Sequence, residues 1–184
     1  MRAVDPSISL IACGSGNLGE IWHDGDIRVI KECGHLIDYL SVHNYEDVET
    51  FDSGPDRAEK FFAEFNDLIA ESKNPDLKLY MSEWNLRNTK DLRTGLYAGG
   101  LLNVFERTPI MAMASPALFL RHVSAPGWDN AFVNFDHRTW FAAPNYIVMK
   151  LWHDNFAPNR VGISGDAGVL NAVATKSNDG TQVF

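Results

Sequence analysis

The sequence predicts an α/β fold built on a parallel sheet, and three observations support this class. Strand-like and helix-like segments alternate from residue 8 to residue 114, which is the order found in parallel α/β proteins. The strand-like segments are continuous apolar runs, as expected when helices cover both faces of a sheet. Polar residues stand where the second and third of these runs end, and α/β proteins bind their ligands at that edge.

This part of the chain gives four strands with three helices between them. Glycine-rich residues 14–16 end the first strand, and residues 53–55 open the second helix with proline in its favoured first-turn place. Apolar residues at helical spacing continue that helix to Ile69. The predicted segments are, in order, strand 8–13, helix 26–33, strand 39–43, helix 53–69, strand 77–83, helix 88–107 and strand 110–114.

The third helix has its own signals. Asn88 is predicted to cap it, with Asp91 in the first turn. Apolar residues lie on most sides of this helix, so we expect it to be well buried. Gly99 and Gly100 inside it would let another backbone approach closely.

The character of the sequence changes near residue 130. A short strand is predicted over 131–135, and an amphipathic helix over 144–153. Two further short strands, 170–174 and 181–184, are separated by an Asn-Asp-Gly turn. These last segments predict a separate β domain from residue 159 onward.

Composition excludes several classes of function. The 184 residues are enough for one domain with a core. A net charge of −8 without any run of Lys or Arg argues against a nucleic-acid partner, and no stretch approaches the ~18 apolar residues of a membrane span. The N-terminus does not read as a signal peptide. Cys13 and Cys33 lack metal-ligand spacing and are expected to be buried thiols.

The motif Ser-Glu-Trp-Asn at residues 82–85 carries the strongest indication of chemistry. A carboxylate at the end of a buried strand is suited to catalysis, although Glu83 could also be a surface-loop glutamate. His43 ends the preceding strand and Tyr45 follows it. Both should therefore lie at the same edge of the sheet as Glu83, unless they are packing residues of the core. Trp84 either stacks on a sugar or wedges between strands, and Asn85 bonds either substrate or loop backbone.

Three stretches of the chain resemble the α-L-arabinofuranosidases of glycoside hydrolase family 51. Residues 5–14 are similar to the family's fifth barrel strand, and residues 38–45 to its sixth. The Ser-Glu-Trp-Asn motif resembles the Asp-Glu-Trp-Asn that ends its seventh strand. Residues 134–146 and 171–176 add to the likeness, which thus covers nearly the whole chain.

The resemblance implies a (β/α)₈ TIM barrel followed by a β-sandwich. Only about strands 5–8 and their helices would be present, so residues 1–158 would be the C-terminal half of the catalytic barrel. Residues 159–184 would be the start of an incomplete β-sandwich. Arg87 replaces a common tryptophan, and residues 114–118 lack the glutamine usual in the eighth strand, so the exact substrate stays open.

The resemblance also implies a retaining glycosidase that releases terminal α-L-arabinofuranosyl residues from plant polysaccharides or oligosaccharides. Glu83 would be the catalytic nucleophile, and His43, Tyr45, Trp84 and Asn85 would bind substrate. Sugar hydrolysis normally needs a second carboxylate as acid/base. The family places it after the fourth strand, outside this chain, and Glu20 follows the wrong strand to replace it. The isolated chain is therefore expected to be inactive.

The implied partner is an arabinofuranosyl-containing saccharide, with no nucleic acid or membrane, and an oligomer of the full-length protein stays open. No cofactor or metal is implied. The compartment stays undetermined, with the cytoplasm slightly favoured. Two alternatives remain: a non-catalytic sugar-binding or scaffold module, and another glycosidase of the same clan, such as an endoglucanase or xylanase.

Overall fold

The computed structural model describes residues 1–165, 168 and 170–184, without the side chains of residues 20–22. The chain divides into two compact units. The first unit comprises residues 1–45, 58–84 and 108–116, and the second comprises residues 46–57, 85–107 and 117–184. Within the described residues, no helix is both long and apolar enough to cross a lipid bilayer.

The first unit is built on a four-stranded sheet whose spatial order follows the sequence. Its strands are β1 (Ile11–Cys13), β2 (Tyr39–Glu46), β3 (Lys78–Leu86) and β4 (Met111–Ala114). β1 pairs with β2 in parallel, and β3 pairs with β4 in parallel. A helix lies between successive strands, so the α/β class and the parallel pairing predicted from the alternation are confirmed.

Two helices contribute to the core of this unit. α1 spans Glu20–Cys33, and α2 spans Gly54–Ala70, of which the part from Ala58 onward lies in the first unit. Both α2 and the strands β2 and β3 contribute fully buried apolar side chains to this core, namely Phe62, Phe65, Ile69, Leu40, Val42, Leu79 and Met81. Each such side chain contributes ~1.5–3 kcal/mol by leaving water.

The second unit combines two helices with two small sheets. α3 (Leu92–Arg107) packs against α4 (Pro144–Asp154). β5 (Leu120–His122) pairs in parallel with β6 (Val133–Phe135), which pairs antiparallel with β7 (Trp140–Ala142). β8 (Asn159–Val161) and β9 (Ala174–Lys176) form an antiparallel pair. The described residues also include two short 3₁₀ helices, Gly34–Leu36 in the first unit and Val48–Thr50 in the second.

Several predicted boundaries were wrong. α1 begins at Glu20 rather than at residue 26, and β3 continues to Leu86 rather than ending at residue 83. β2 likewise continues beyond His43, to Glu46. The reason is that backbone pairing persists there, since the N–H of Arg87 donates to the carbonyl of Glu46 at 2.9 Å. The polar motif residues therefore lie within the C-terminal halves of their strands, close to the strand ends.

The start of α3 also differs from the prediction. Asn88 does not cap this helix, because its backbone is left-handed, with φ of 48°. The carboxylate of Asp91 takes that place and accepts the N–H of Arg93 at 2.9 Å. α3 is less buried than predicted, since Leu92 and Leu96 are more than half exposed.

Three further predictions were wrong. Cys13 and Cys33 are both exposed, because one lies on the edge strand β1 and the other is the last residue of α1. The strand predicted over 170–174 lies at Ala174–Lys176 instead. The strand predicted over 181–184 is reduced to a single bridge between Lys176 and Val183.

Candidate functional site

The site is formed by the ends of β2 and β3 in the first unit. Ser41, His43 and Tyr45 alternate along β2 and therefore share one face of the strand. The hydroxyl oxygens of Ser41 and Ser82 lie 2.5 Å apart, which joins this face to β3 one residue before Glu83. This serine pair was not anticipated from the sequence, although the matching positions of the two residues in successive strands could have suggested it.

The carboxylate of Glu83 is held by two side chains of β2. The Tyr45 hydroxyl donates a hydrogen bond to Oε2 of Glu83 at 2.7 Å. Nδ1 of His43 lies 3.5 Å from the same oxygen, an ion-pair contact when the imidazole is protonated. Among the described residues, every hydrogen bond and ion pair of this carboxylate falls on Oε2. Oε1 is thereby left for a ligand.

Exposure separates the roles of the three side chains. The Glu83 side chain is 42% exposed and that of His43 is 28% exposed, so both reach solvent. Tyr45 is buried, at 7% exposure, and brings only its hydroxyl to the carboxylate. The arrangement is a fixed, accessible carboxylate at a strand end, which suits a nucleophile that attacks a bound molecule.

Trp84 does not have the environment that sugar stacking requires. Its side chain is fully buried in the first unit, so no ring face is available to a ligand. The packing alternative accounts for this burial, because an indole removed from water contributes more to the core than most side chains.

Asn85 belongs to the second unit and is also fully buried. Its Nδ2 donates to the carbonyl oxygens of Ala117 at 3.0 Å and Asn130 at 2.6 Å. Its Oδ1 accepts the N–H of Leu86 at 2.9 Å and an amide hydrogen of Asn145 at 3.2 Å. A substrate contact would have to break this network, so the structure favours the backbone-support alternative over the predicted substrate contact.

The remaining sequence candidates add no second chemical centre. The side chain of Glu20, which was set aside as acid/base, lies outside the described residues. In the part of the chain that the structure describes, no cluster of three or more His, Cys, Asp or Glu side chains is arranged to hold a metal ion.

No protein-family model matches the chain, but two relatives in sequence are named arabinofuranosidases. The chain is 44% identical over 46 residues to intracellular exo-α-(1→5)-L-arabinofuranosidase 1 of Bacillus subtilis, a match to 24% of this chain and 9% of that protein. It is 32% identical over 97 residues to the intracellular exo-α-(1→5)-L-arabinofuranosidase of Streptomyces lividans, covering 47% and 15% of the two chains.

Solved structures agree with the fold. The α-L-arabinofuranosidase of Thermotoga maritima superposes with a TM-score of 0.77 at 20% identity, covering 99% of this chain and 43% of that one. A family 51 α-L-arabinofuranosidase of Bifidobacterium longum gives 0.75 at 14% identity, covering 97% and 44%. A family 39 β-xylosidase of Caulobacter crescentus gives 0.63 at 16% identity, covering 97% and 38%.

The likenesses in sequence and in fold agree with each other. The chain spans less than half the length of the arabinofuranosidase structures that it matches, and the matched residues are 9% and 15% of the two relatives in sequence. The resemblance drawn from the motifs is thereby confirmed: this chain is similar in sequence to two arabinofuranosidases and in fold to α-L-arabinofuranosidases that include a family 51 member.

Proposed function

We propose that these residues carry the nucleophile side of a retaining α-L-arabinofuranosidase site. The contact between the Tyr45 hydroxyl and Oε2 of Glu83, at 2.7 Å, is the observation that carries this proposal. It fixes one carboxylate oxygen, while the other has no hydrogen bond or ion pair among the described residues, on a side chain that is 42% exposed. The substrate would be a terminal α-L-arabinofuranosyl group on a plant polysaccharide or oligosaccharide, in keeping with the names of the two relatives.

In the proposed reaction, Oε1 of Glu83 attacks the anomeric carbon. The bond to the leaving-group oxygen breaks, and that oxygen takes a proton from a second carboxyl group, leaving a glycosyl ester on Glu83. Water then attacks the same carbon and gives a proton to the second carboxylate, while the bond from that carbon to Oε1 breaks and frees the Glu83 carboxylate. Two successive inversions retain the configuration. This mechanism needs the two carboxyl groups about 5–5.5 Å apart.

We infer that the second carboxyl group lies outside these 184 residues. The resemblance places the acid/base after the fourth barrel strand, and we assign β1–β4 of this chain to strands five to eight. Residues 1–158 would then be the second half of the barrel, and residues 159–184 would begin a β-sandwich. The turnover would accordingly belong to the complete protein that contains these residues.

The decisive experiment replaces Glu83 by Gln in the complete protein. Hydrolysis of an aryl α-L-arabinofuranoside should fall on the order of 10⁴-fold or more, as when a nucleophile is removed from other enzymes with covalent intermediates. Proton NMR of the first-formed product should show the α configuration. Glu71→Gln is the matched control, because Glu71 is an exposed glutamate just beyond the end of α2 and should leave turnover unchanged.

Four outcomes would contradict the proposal. Equal turnover in the Glu83→Gln variant and wild type would remove Glu83 from the chemistry. A first product of inverted configuration would exclude the covalent step. Sugar binding without any turnover in the complete wild-type protein would favour the non-catalytic module, and release of xylose or glucose instead of arabinose would favour another glycosidase of the clan.

A further inference from the structure

The loop after β1 contacts both β2 residues that lie against Glu83. The backbone N–H of His43 donates to the carbonyl oxygen of Ser15 at 3.0 Å. The backbone N–H of Tyr45 donates to the side-chain oxygen Oδ1 of Asn17 at 2.8 Å. One short loop therefore binds the backbone at the two positions whose side chains reach the Glu83 carboxylate.

These contacts replace strand pairing that β1 is too short to supply. The register of β1 with β2 ends where Cys13 pairs with Ser41, so residues 43–45 lie beyond the last paired residue. Backbone N–H groups at such a strand end need other acceptors. Ser15 and Asn17 supply them. The acceptor of Asn17 is a side-chain oxygen, so a substitution can remove it.

The start of the loop is itself packed closely against β2. The N–H of Gly14 donates to the carbonyl of Ser41 at 2.8 Å. A Cβ at residue 14 would lie 2.6 Å from that carbonyl oxygen and 2.8 Å from Oδ1 of Asp26, so only glycine fits. Asp26 is buried under the loop, and its burial raises the pKa of its carboxyl. The loop thus begins from a fixed point.

We propose that Asn17 is a positioning residue for Glu83. By accepting the Tyr45 N–H, it fixes where the Tyr45 hydroxyl meets Oε2 of Glu83. This inference rests on the proposed function, because the position of that carboxylate affects turnover only if Glu83 is the nucleophile. Only the acceptor oxygen is needed, because no hydrogen bond donated by Nδ2 of Asn17 is found among the described residues.

The first test measures the hydrogen bond itself and does not depend on activity. Amide hydrogen exchange of Tyr45, followed by NMR in the 184-residue chain, should accelerate about tenfold in Asn17→Ala. Asn17→Asp keeps an acceptor oxygen at the same place and should exchange within about twofold of wild type. Unchanged Tyr45 exchange in Asn17→Ala, or equal acceleration in both variants, would overturn the inference.

The second test asks whether Asn17 acts through the Tyr45 hydroxyl, using turnover of an aryl α-L-arabinofuranoside by the complete protein. Asn17→Ala should lower kcat about threefold to tenfold, the scale of one neutral hydrogen bond, with little change in KM. Asn17→Asp should restore it. In a Tyr45→Phe background, Asn17→Ala should have no further effect, since the group that it positions is absent. Equal losses in both backgrounds would show a merely structural role.

The two tests separate this inference from the proposed function. If Tyr45 exchange responds as expected while wild type and Glu83→Gln are equally without turnover, the loop contact stands and the proposed function fails. If turnover depends on Glu83 but the amide exchange rate of Tyr45 is unchanged in Asn17→Ala, the proposed function stands and this inference fails.

Discussion

At the scale of single residues, the Tyr45 hydroxyl is the group that sets the position of the Glu83 carboxylate. Tyr45→Phe removes a hydrogen bond donated to a charged acceptor, an interaction of ~1.5–3 kcal/mol. We therefore expect kcat on an aryl α-L-arabinofuranoside to fall roughly 10- to 100-fold in the complete protein. Steady-state kinetics would measure this loss.

Tyr39→Phe is the matched control for that prediction. Tyr39 begins β2, the strand that also carries Tyr45, and no hydrogen bond of its hydroxyl is found among the described residues. Its removal should leave kcat within about twofold of wild type. Similar losses in the two variants would mean that removal of any β2 phenol disturbs the strand, and the specific role of Tyr45 would be contradicted.

Part of the candidate site could be predicted from local sequence and part could not. Polar residues at the ends of successive apolar runs were enough to bring His43, Tyr45 and Glu83 together. The burial of Asn85 could not be predicted, because its partners Asn130 and Asn145 lie 45 and 60 residues away in sequence. The contact between Asn17 and Tyr45 could not be predicted either, because Asn17 lies in a loop 28 residues away from Tyr45 in sequence.

At the scale of elements, the start of α3 depends on the Asp91 cap. Hydrogen bonds from Arg93 lower the pKa of Asp91 to about 2, below the ~3.9 expected in the unfolded chain. A lowered folded-state pKa means that this carboxylate stabilises the fold above about pH 4, and that the contribution is lost as the pH falls toward 2. Asp91→Ala should lower the free energy of unfolding by ~1 kcal/mol at pH 7.

Denaturant melts of wild type, Asp91→Ala and Asp91→Asn at several pH values would check this. Asn keeps a capping oxygen without the charge, so it should cost less than Ala at pH 7. The difference between wild type and Asp91→Ala should narrow as the pH falls from 4 toward 2. The charge of Asp91 contributes only modestly to the free energy of unfolding, because its side chain is 47% exposed and screened by solvent. A stability difference between wild type and Asp91→Ala that grows as the pH falls would contradict the role of Asp91 as a charged cap of α3.

Adjacent glycines in α3 should respond in opposite directions to alanine. A Cβ at Gly100 would lie 2.6 Å from Cγ of Pro55, whereas one at Gly99 would lie 3.6 Å from Cγ1 of Val148. Gly99→Ala should therefore raise the free energy of unfolding by ~0.5–1 kcal/mol through helix propensity. Gly100→Ala should lower it, because overpacking costs ~1–3 kcal/mol and outweighs that gain. Equal changes in the free energy of unfolding of the two variants, measured by urea melts, would contradict these packing distances around α3.

The elements that could be predicted were those with a long, regular pattern. The predicted starts and ends of α2 and α4 lie within one residue of those observed, because each has apolar residues at helical spacing and a proline in its first turn. β5, β7 and β8 are three residues each and were not predicted, since three residues are too few to establish a period.

At the scale of the whole molecule, we expect this chain to have low activity, because it spans less than half the length of the arabinofuranosidase structures that it matches. The matched structure from Thermotoga maritima is covered to 43%, and we place the acid/base in the part that is not covered. Loss of a general acid alone typically costs ~10²–10⁴ in rate. The folded 184-residue chain should therefore hydrolyse an oligosaccharide with terminal α-L-arabinofuranosyl groups, whose leaving group needs a proton, at least that much more slowly than the complete protein.

The Glu83→Gln variant of the 184-residue chain determines what any residual turnover means. If the chain retains slow turnover that Glu83→Gln abolishes, Glu83 still attacks the sugar and only proton transfer to the leaving group is missing. An aryl leaving group of low pKa needs little such proton transfer, so the deficit should shrink as the leaving-group pKa falls. A chain as active as the complete protein, and still dependent on Glu83, would place the acid/base within these residues and contradict the assignment of β1–β4 to the second half of a barrel.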